Sequence, residues 1–307
     1  MKAIICTKYG PPEVLKMVEV DKPTPKKNEV LIKIFATSVT ASDCIIRGFK
    51  LPLTQWILAR LALGLTKPRK SILGLVLSGE VEKVGDNVKQ FKTGDKVYAH
   101  TLMRFGTYAE YICIPESSAI ALMPSNTSFE DAAAIPFGGT LALFYLKKAN
   151  IQRGQKVLIY GASGAVGTSA IQLAKHFGAE VSGVCSTANL ELVKSLGADT
   201  VIDYTKEDFT DTGKQYDLIF DAVGKKKSSH LQYKKALNLN GKFISVDDGN
   251  PGERAVCKAN LTILKELTEN GKIRPVIDKI YSLDQIVDAH RYVDKGHKKG
   301  NVIITVK

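Results

Sequence analysis

The residues that could do chemistry gather first between Lys156 and Gly178, KVLIYGASGAVGTSAIQLAKHFG. Ala162, Gly164 and Gly167 give Ala162-x-Gly164-x-x-Gly167, the spacing of a dinucleotide-binding turn with alanine in the first glycine's place. A glycine at 164 lets the backbone approach a pyrophosphate. A glycine at 167 lets a helix pack tightly on the strand before it. Ser163, Gly164, Ala165 and Val166 are therefore the cofactor-binding candidates of this turn. The first-turn amides of Ala165 and Val166 face the phosphates, aided by the helix dipole. About 20 residues beyond such a turn, an NAD enzyme carries Asp or Glu for the ribose 2′-hydroxyl. Here that place falls at Cys185-Ser186-Thr187. A pair of small hydroxyls leaves room for a 2′-phosphate and does not repel it, so the expected cofactor is NADPH. A plainer alternative is that Ser186 and Thr187 only cap a helix starting near Ala188. No arginine follows directly; Lys194 and the lysines at 225–227 are candidate phosphate cations.

Glycines of this kind also serve packing alone, so the flanking elements decide. Val157-Leu158-Ile159-Tyr160 has the composition of a strand buried on both faces. After the turn, Val166, Ile171, Ala174 and Phe177 fall on roughly one helical face, and Gly178 is placed to stop the helix. Strand, glycine turn and helix are the context the fingerprint requires. Further strands are expected at 180–185, 199–203, 216–221 and 241–247, alternating with helices. That is a doubly wound parallel sheet, an α/β domain of Rossmann type.

Residues 1–122 read differently. Short strands at 2–6, 14–20, 29–36, 75–84, the stretch ending at 98, and 106–114 suggest a compact β-barrel. Ser128 with Asp131 three residues on marks a helix start before an alanine-rich run. The tail returns to strand at 277–283 and 301–306, with one helix from Leu283 to Lys295 between.

The 307 residues, 44% hydrophobic and 24% charged, have room for two ordinary globular domains. The net charge of +12 is diffuse, and no basic aromatic module of a nucleic-acid binder is present. A positive field of this sort attracts an anionic cofactor. The five cysteines, Cys6, Cys44, Cys113, Cys185 and Cys257, are widely spaced and form no CxxC, which suits reduced thiols in a cytoplasmic protein. No leader-like h-region and no apolar run long enough to span a membrane is expected.

Several ordered motifs carry a resemblance over the whole chain. They are Glu80-Val81-Glu82-Lys83-Val84-Gly85, Phe91 to Val97, Gly106 to Tyr111 and Ala134-Ile135-Pro136. To these add Gly161 to Gly167, Leu196 to Asp199 with Val201 to Tyr204, Phe220 to Gly224, and Lys299 to Val302. The chain resembles the medium-chain dehydrogenase/reductase superfamily, in its zinc-independent, quinone oxidoreductase-like branch. The resemblance implies a GroES-like β-barrel domain of residues 1–122 and 265–307. It implies a Rossmann domain of residues 123–264 inserted between, with the cofactor in the cleft. It also implies site residues. Thr40 and Asp43, in Ser38-Val39-Thr40-Ala41-Ser42-Asp43, match a segment placing polar groups beside the nicotinamide, with Thr40-Ala41 where the branch usually has Asn-Pro. They are the catalytic candidates, for substrate or ribose contacts; Asp43 is alternatively a helix cap. Thr140 matches a nicotinamide contact, or caps a helix. Tyr204 matches a position near the ribose phosphate, Val223 and Gly224 pass beside the cofactor, and Asn301 matches a C-terminal cofactor contact.

A catalytic zinc needs three protein ligands. Thr40 stands where the zinc branch has cysteine, and Gly74-Leu75-Val76 replaces its Gly-His-Glu. His100 is the only histidine of residues 1–122. No metal site is expected. Without a Lewis acid, plain alcohol dehydrogenation is disfavoured, and quinones or α,β-unsaturated carbonyls are the expected acceptors. A zinc-free enoyl-thioester reductase and a non-catalytic NADPH-binding protein are the alternatives. The partners expected are a small-molecule substrate and, in keeping with the branch, a second copy in a homodimer. Leu51 to Leu65, LPLTQWILARLALGL, is too apolar for an ordinary loop. It reads as a lid with Trp56, Leu61 and Leu65 at a substrate mouth, or as a helix covering the barrel.

Overall fold

A computed structural model describes residues 1–50, 53–224, 230–248 and 258–306. The first seven strands are β1 (Lys2–Cys6), β2 (Leu15–Glu19), β3 (Glu29–Val39), β4 (Val76–Val84), β5 (Lys96–His100), β6 (Tyr111–Pro115) and β7 (Ile120–Leu122). Five more follow: β8 (Lys156–Tyr160), β9 (Glu180–Cys185), β10 (Thr200–Asp203), β11 (Tyr216–Asp221) and β12 (Leu237–Ser245). The chain ends with β13 (Ile277–Ser282) and β14 (Asn301–Thr305). The helices, in order, are α1 (Ala41–Gly48), α2 (Leu53–Leu63), α3 (Phe129–Ala133), α4 (Pro136–Lys148), α5 (Ala165–His176), α6 (Leu190–Ser195), α7 (His230–Lys235), α8 (Lys258–Glu269) and α9 (Ile286–Asp294). The chain forms two compact units, one of Met1–Phe137 with Ile277–Lys307 and one of Gly138–Val276.

The first unit is the barrel. Its main sheet runs β13-β14-β3-β4-β5-β7, with β6 also on β3. β3 holds it together. It pairs β6 through Glu29 to Lys33, β14 through Ala36 to Val39, and β4 along most of its length. Register shifts near Leu31 and Phe35 bend it, which lets one strand serve two partners on the same edge. Alternating apolar residues of β3, β4 and β14 fill the interior with Ile32, Ile34, Leu77, Val81, Val302 and Ile304, and α9 adds Ile286 and Val293. α3 begins at Ser128, whose hydroxyl accepts the Asp131 amide at 3.1 Å. Its alanines pack on Ala36 and Ile303.

The second unit is the doubly wound sheet, parallel throughout, in the order β10-β9-β8-β11-β12. Val157, Leu158 and Ile159 of β8 are fully buried, as an apolar run covered on both faces must be. Chain order reverses between β8 and β11, so ligands of such a sheet collect at the carboxyl ends of those two strands. No helix among the described residues is long and apolar enough to cross a membrane.

Candidate functional site

β8 ends at Tyr160 and the chain turns at Gly161, which has φ +77°. A side chain there would also meet Val223 Cγ2 at 2.3 Å, so the turn is fitted against the end of β11. Gly164 is the N-cap of α5, with no side-chain cap. The two fingerprint glycines differ in what excludes a side chain. A Cβ at Gly167 would lie 2.2 Å from the Gly161 carbonyl oxygen and 2.8 Å from Ala162. Gly167 is therefore glycine for packing. A Cβ at Gly164 would meet only the Gly161 oxygen, at an ordinary 3.5 Å. Among the described residues, no other atom beyond its chain neighbours and its helix's own backbone lies within 4 Å of that Cβ, and this is the space a pyrophosphate would take on the amides of Ala165 and Val166. The start of α4 closes on the same helix end: a Cβ at Gly138 would lie 2.1 Å from the Ala165 oxygen. Thr140 lies one turn into α4, fully buried, in the helix interior and not at its cap.

Ser163 and Ser186 lie apart in sequence but share a partner. Asn189 donates through Nδ2 to both hydroxyls, at 3.1 Å each. Asn189 is buried, and nothing in the sequence marked it out. Its only sequence signal is its place three residues after Ser186 at the end of a strand. Ser186 stands at the N-cap position before the turn Thr187–Asn189, but its hydroxyl makes no capping bond. Thr187 donates instead to Asp203 at 2.5 Å, and Thr205 gives Asp203 its amide and hydroxyl at 3.0 and 2.7 Å. Those bonds, Thr187's foremost, hold the Asp203 carboxyl below the usual carboxylate range. Both its oxygens are thus engaged. Tyr204 follows, half exposed, its amide on the Cys185 carbonyl at 3.1 Å. Lys206 Nζ stands 3.9 Å from Asp203. Lys194 lies in the last turn of α6, at the helix end away from Ser186. The lysines at 225–227 lie outside the described residues, as does Cys257. Val223 stands at the switch point, where Asp221 receives its amide and that of Gly224. The second unit thus brings Ser163, Gly164, Ala165, Val166, Ser186, Tyr204 and Val223 to the carboxyl ends of β8 to β11.

Two family models match: residues 26–125 fit "Alcohol dehydrogenase GroES-like domain" and residues 165–288 fit "Zinc-binding dehydrogenase". The chain is 39% identical to the 2-methylene-furan-3-one reductase of Solanum lycopersicum, over 99% of this chain and 79% of that protein. It is 35% identical to a chloroplastic NADPH-dependent alkenal/one oxidoreductase of Arabidopsis thaliana, over 99% and 79%. The solved quinone oxidoreductase from Coxiella burnetii superposes with a TM-score of 0.88 at 31% identity, covering 100% of this chain and 99% of that one. The chain belongs to the medium-chain dehydrogenase/reductase superfamily, in its quinone oxidoreductase-like branch. It is an oxidoreductase of a family that uses nicotinamide dinucleotides.

In this medium-chain reductase the barrel unit carries Thr40, Asp43 and Asn301. Thr40 caps α1 through a closed capping box. Its hydroxyl accepts the Asp43 amide at 3.2 Å and donates to Asp43 Oδ2 at 2.6 Å, and its own amide reaches the same oxygen at 2.9 Å. Val302 pairs with Val39, so Asn301 sits next to Thr40 at one end of the β14–β3 ladder. All three side chains are buried. Burial raises the Asp43 carboxyl to about 6 against the pull of the Thr40 bonds. Tyr108 lies close enough to lower it in turn, although neither the Tyr108 hydroxyl nor Asp43 Oδ1 closes a well-formed bond.

Behind α1 lies a group that no sequence pattern announced. Arg47, fully buried, donates to Asp294 at 2.5 Å and to His290 Nδ1 at 2.9 Å. The Cys44 thiol stands 3.5 Å from the same His290 nitrogen. This is not a nucleophile and its base. Arg47 occupies Nδ1 as acceptor, burial lowers His290 to about 3, and burial raises Cys44 to about 12. The group is structural. His100 is likewise a satisfied core histidine: its Nδ1 accepts the Leu102 amide at 3.1 Å, and burial lowers it to about 4. Leu75 and Val76 lie in an apolar cluster with Phe49 and Phe105. Among the described residues, no three His, Cys, Asp or Glu side chains gather closely enough to hold a metal ion. Lys298, two residues before the Gly300-Asn301 pair, turns its ammonium onto the Gly300 carbonyl at 2.5 Å. Burial lowers it to about 8, opposed by Asp278.

Proposed function

We infer that the chain is an NADPH-dependent reductase that works without zinc and reduces the double bond of α,β-unsaturated carbonyls, with quinones as further acceptors. The observation that carries this reading is the strand end at Ser186. Where an NAD enzyme presents a carboxylate to the ribose, this chain presents the Ser186 hydroxyl, which Asn189 joins to Ser163 of the glycine turn, and the nearby Asp203 already has its oxygens engaged. Lys206, in the loop after Tyr204, is the cation we assign to a 2′-phosphate. The space above Gly164 supports a pyrophosphate there. Two relatives named for furanone and alkenal/one reduction support the acceptor class.

NADPH supplies a hydride when bound. The acceptor alkene takes hydride at its β-carbon, its π pair moves toward the carbonyl oxygen, and a proton at the α-carbon completes the product. Asn189 fixes the two serines that receive the adenosine end. The Thr40–Asp43 capping box fixes the end of β3 beside Asn301. A homodimer would join through β12, the last strand of the described sheet, where Leu239 is wholly exposed. The four described cysteines are free thiols, which fits a reducing compartment.

Stopped-flow absorbance at the nicotinamide band tests the reading. The protein is mixed with NADPH or NADH and a simple enone, a benzoquinone or an enoyl thioester. Faster loss of NADPH with the enone is expected. Preference for NADH, or tight NADPH binding with no turnover on any acceptor, would sink it.

A further inference from the structure

α2 leaves one face uncovered. Ile57 and Leu58 are 70% and 73% exposed, and Leu61 and Leu65 are more than half exposed. Positions 57, 58 and 61 repeat at helical spacing, and Leu65 continues the stripe just past the helix end. The opposite side is anchored, with Leu63 and Ala59 packed against Phe49, Leu75, Val76 and Phe105. Gly64 ends the helix with φ +123°. The only charge on α2 does not interrupt the stripe. The Arg60 guanidinium lies over the rings of Phe49, Trp56 and Tyr9 at 3.9, 4.7 and 4.8 Å and donates to the Leu65 carbonyl. Three aromatic faces hold that cation down against the protein.

Along the chain, the charge flanking this stripe has one sign. No Asp or Glu occurs from Cys44 through Gly79. Lys67, Arg69 and Lys70 follow the stripe, exposed, and form no ion pair with any described residue. The turn at Leu102–Arg104 adds exposed Leu102, Met103 and Arg104, and the next residue, Phe105, lies in the cluster that anchors α2. α2 has 11 residues, about 16 Å of helix, which is too short to span a bilayer. An uncharged apolar stripe bordered by free cations, on a chain of net charge +12, is complementary to an anionic lipid surface. A second copy docked on the same face would instead set these cations against each other.

We propose that α2 lies flat in the headgroup region of an anionic bilayer. Ile57, Leu58, Leu61 and Leu65 face the acyl chains, and Lys67, Arg69 and Lys70 face the lipid phosphates. This surface is independent of the reductase reading, because its test reads binding and not turnover.

The full chain is floated with vesicles of phosphatidylcholine alone or of phosphatidylcholine with phosphatidylglycerol. Binding to the anionic vesicles is expected to exceed binding to the neutral ones about tenfold and to fall as salt is added. Trp56, the chain's one tryptophan, should shift its emission to the blue on the anionic vesicles. Ile57→Asp with Leu58→Asp should abolish flotation while the midpoint of urea unfolding is unchanged. Lys67→Glu with Lys70→Glu leaves the apolar stripe intact and should weaken anionic binding at least tenfold. No flotation on either vesicle, equal flotation on both, or binding indifferent to both pairs of substitutions overturns the proposal. So does a dimer by light scattering that Ile57→Asp dissociates, which would make the stripe a contact between copies.

Discussion

Asn189 joins two serines that the chain keeps 23 residues apart, and its loss should be felt by the cofactor and not by the fold. We expect Asn189→Ala to raise the KM for NADPH about tenfold while kcat stays within about twofold, since the loss of one buried anchor costs about 1–3 kcal/mol. Steady-state kinetics with saturating enone checks this. Gly164 and Gly167 should part in the opposite sense. At Gly164 a methyl group meets only the 3.5 Å contact, so Gly164→Ala should keep stability within about 1 kcal/mol and lose NADPH binding. At Gly167 it meets backbone at 2.2 Å, so Gly167→Ala should cost about 3 kcal/mol of stability before binding is asked about. Denaturant titration and cofactor fluorescence separate the two. The sequence alone made Gly164 and Gly167 legible, because their roles follow from spacing. Asn189 was not legible, because its role follows from where β9 and the Gly161–Gly167 turn end in space.

Elements show the same division. β8 and α5 could be read from an apolar run, a glycine turn and a helical stripe. α4 could not: Pro136, Gly138 and Gly139 in its first turn argue against a helix by propensity. Packing overrides that, since proline suits a first helical position and Gly138 is needed for the approach to Ala165. β7, with three residues, is too short to show a period. The unit built around β3 buries acid and base together, and this fixes how it answers to pH. Asp43, raised to about 6, binds its proton more tightly folded than unfolded, so its contribution declines as pH rises from about 4 to 6. His290 and His100, lowered to about 3 and 4, bind theirs more weakly folded, so their contributions grow over the same window. One histidine and the aspartate offset each other. Asp43→Asn should steepen the rise of stability between pH 4 and 6 by about 1.4 kcal/mol per pH unit. Trp56 emission during urea unfolding at several pH values measures it, and an unchanged slope would mean Asp43 does not titrate there.

At the scale of the whole molecule, the +12 charge has a kinetic meaning. NADPH carries more negative charge than NADH, so its association should be faster at low ionic strength and should slow more steeply as salt is added. A salt series of association rates for both cofactors tests this; parallel salt dependences would remove the field from the account. The two-unit plan was legible from the shift between close-set short strands and alternating strands and helices. The group that ties buried Arg47 and His290 to Asp294 was not, since it joins residues more than 240 positions apart.

The contrast between Gly164 and Gly167 reaches beyond a single variant. In a library sorted only for folded, abundant protein, alanine should survive at 164 and vanish at 167. In the same library sorted for turnover, both positions should stay glycine. Two residues on one turn would then report separately on selection for a fold and selection for a reaction, and the ratio of their tolerances would tell whether a lineage carrying this chain still depends on its chemistry.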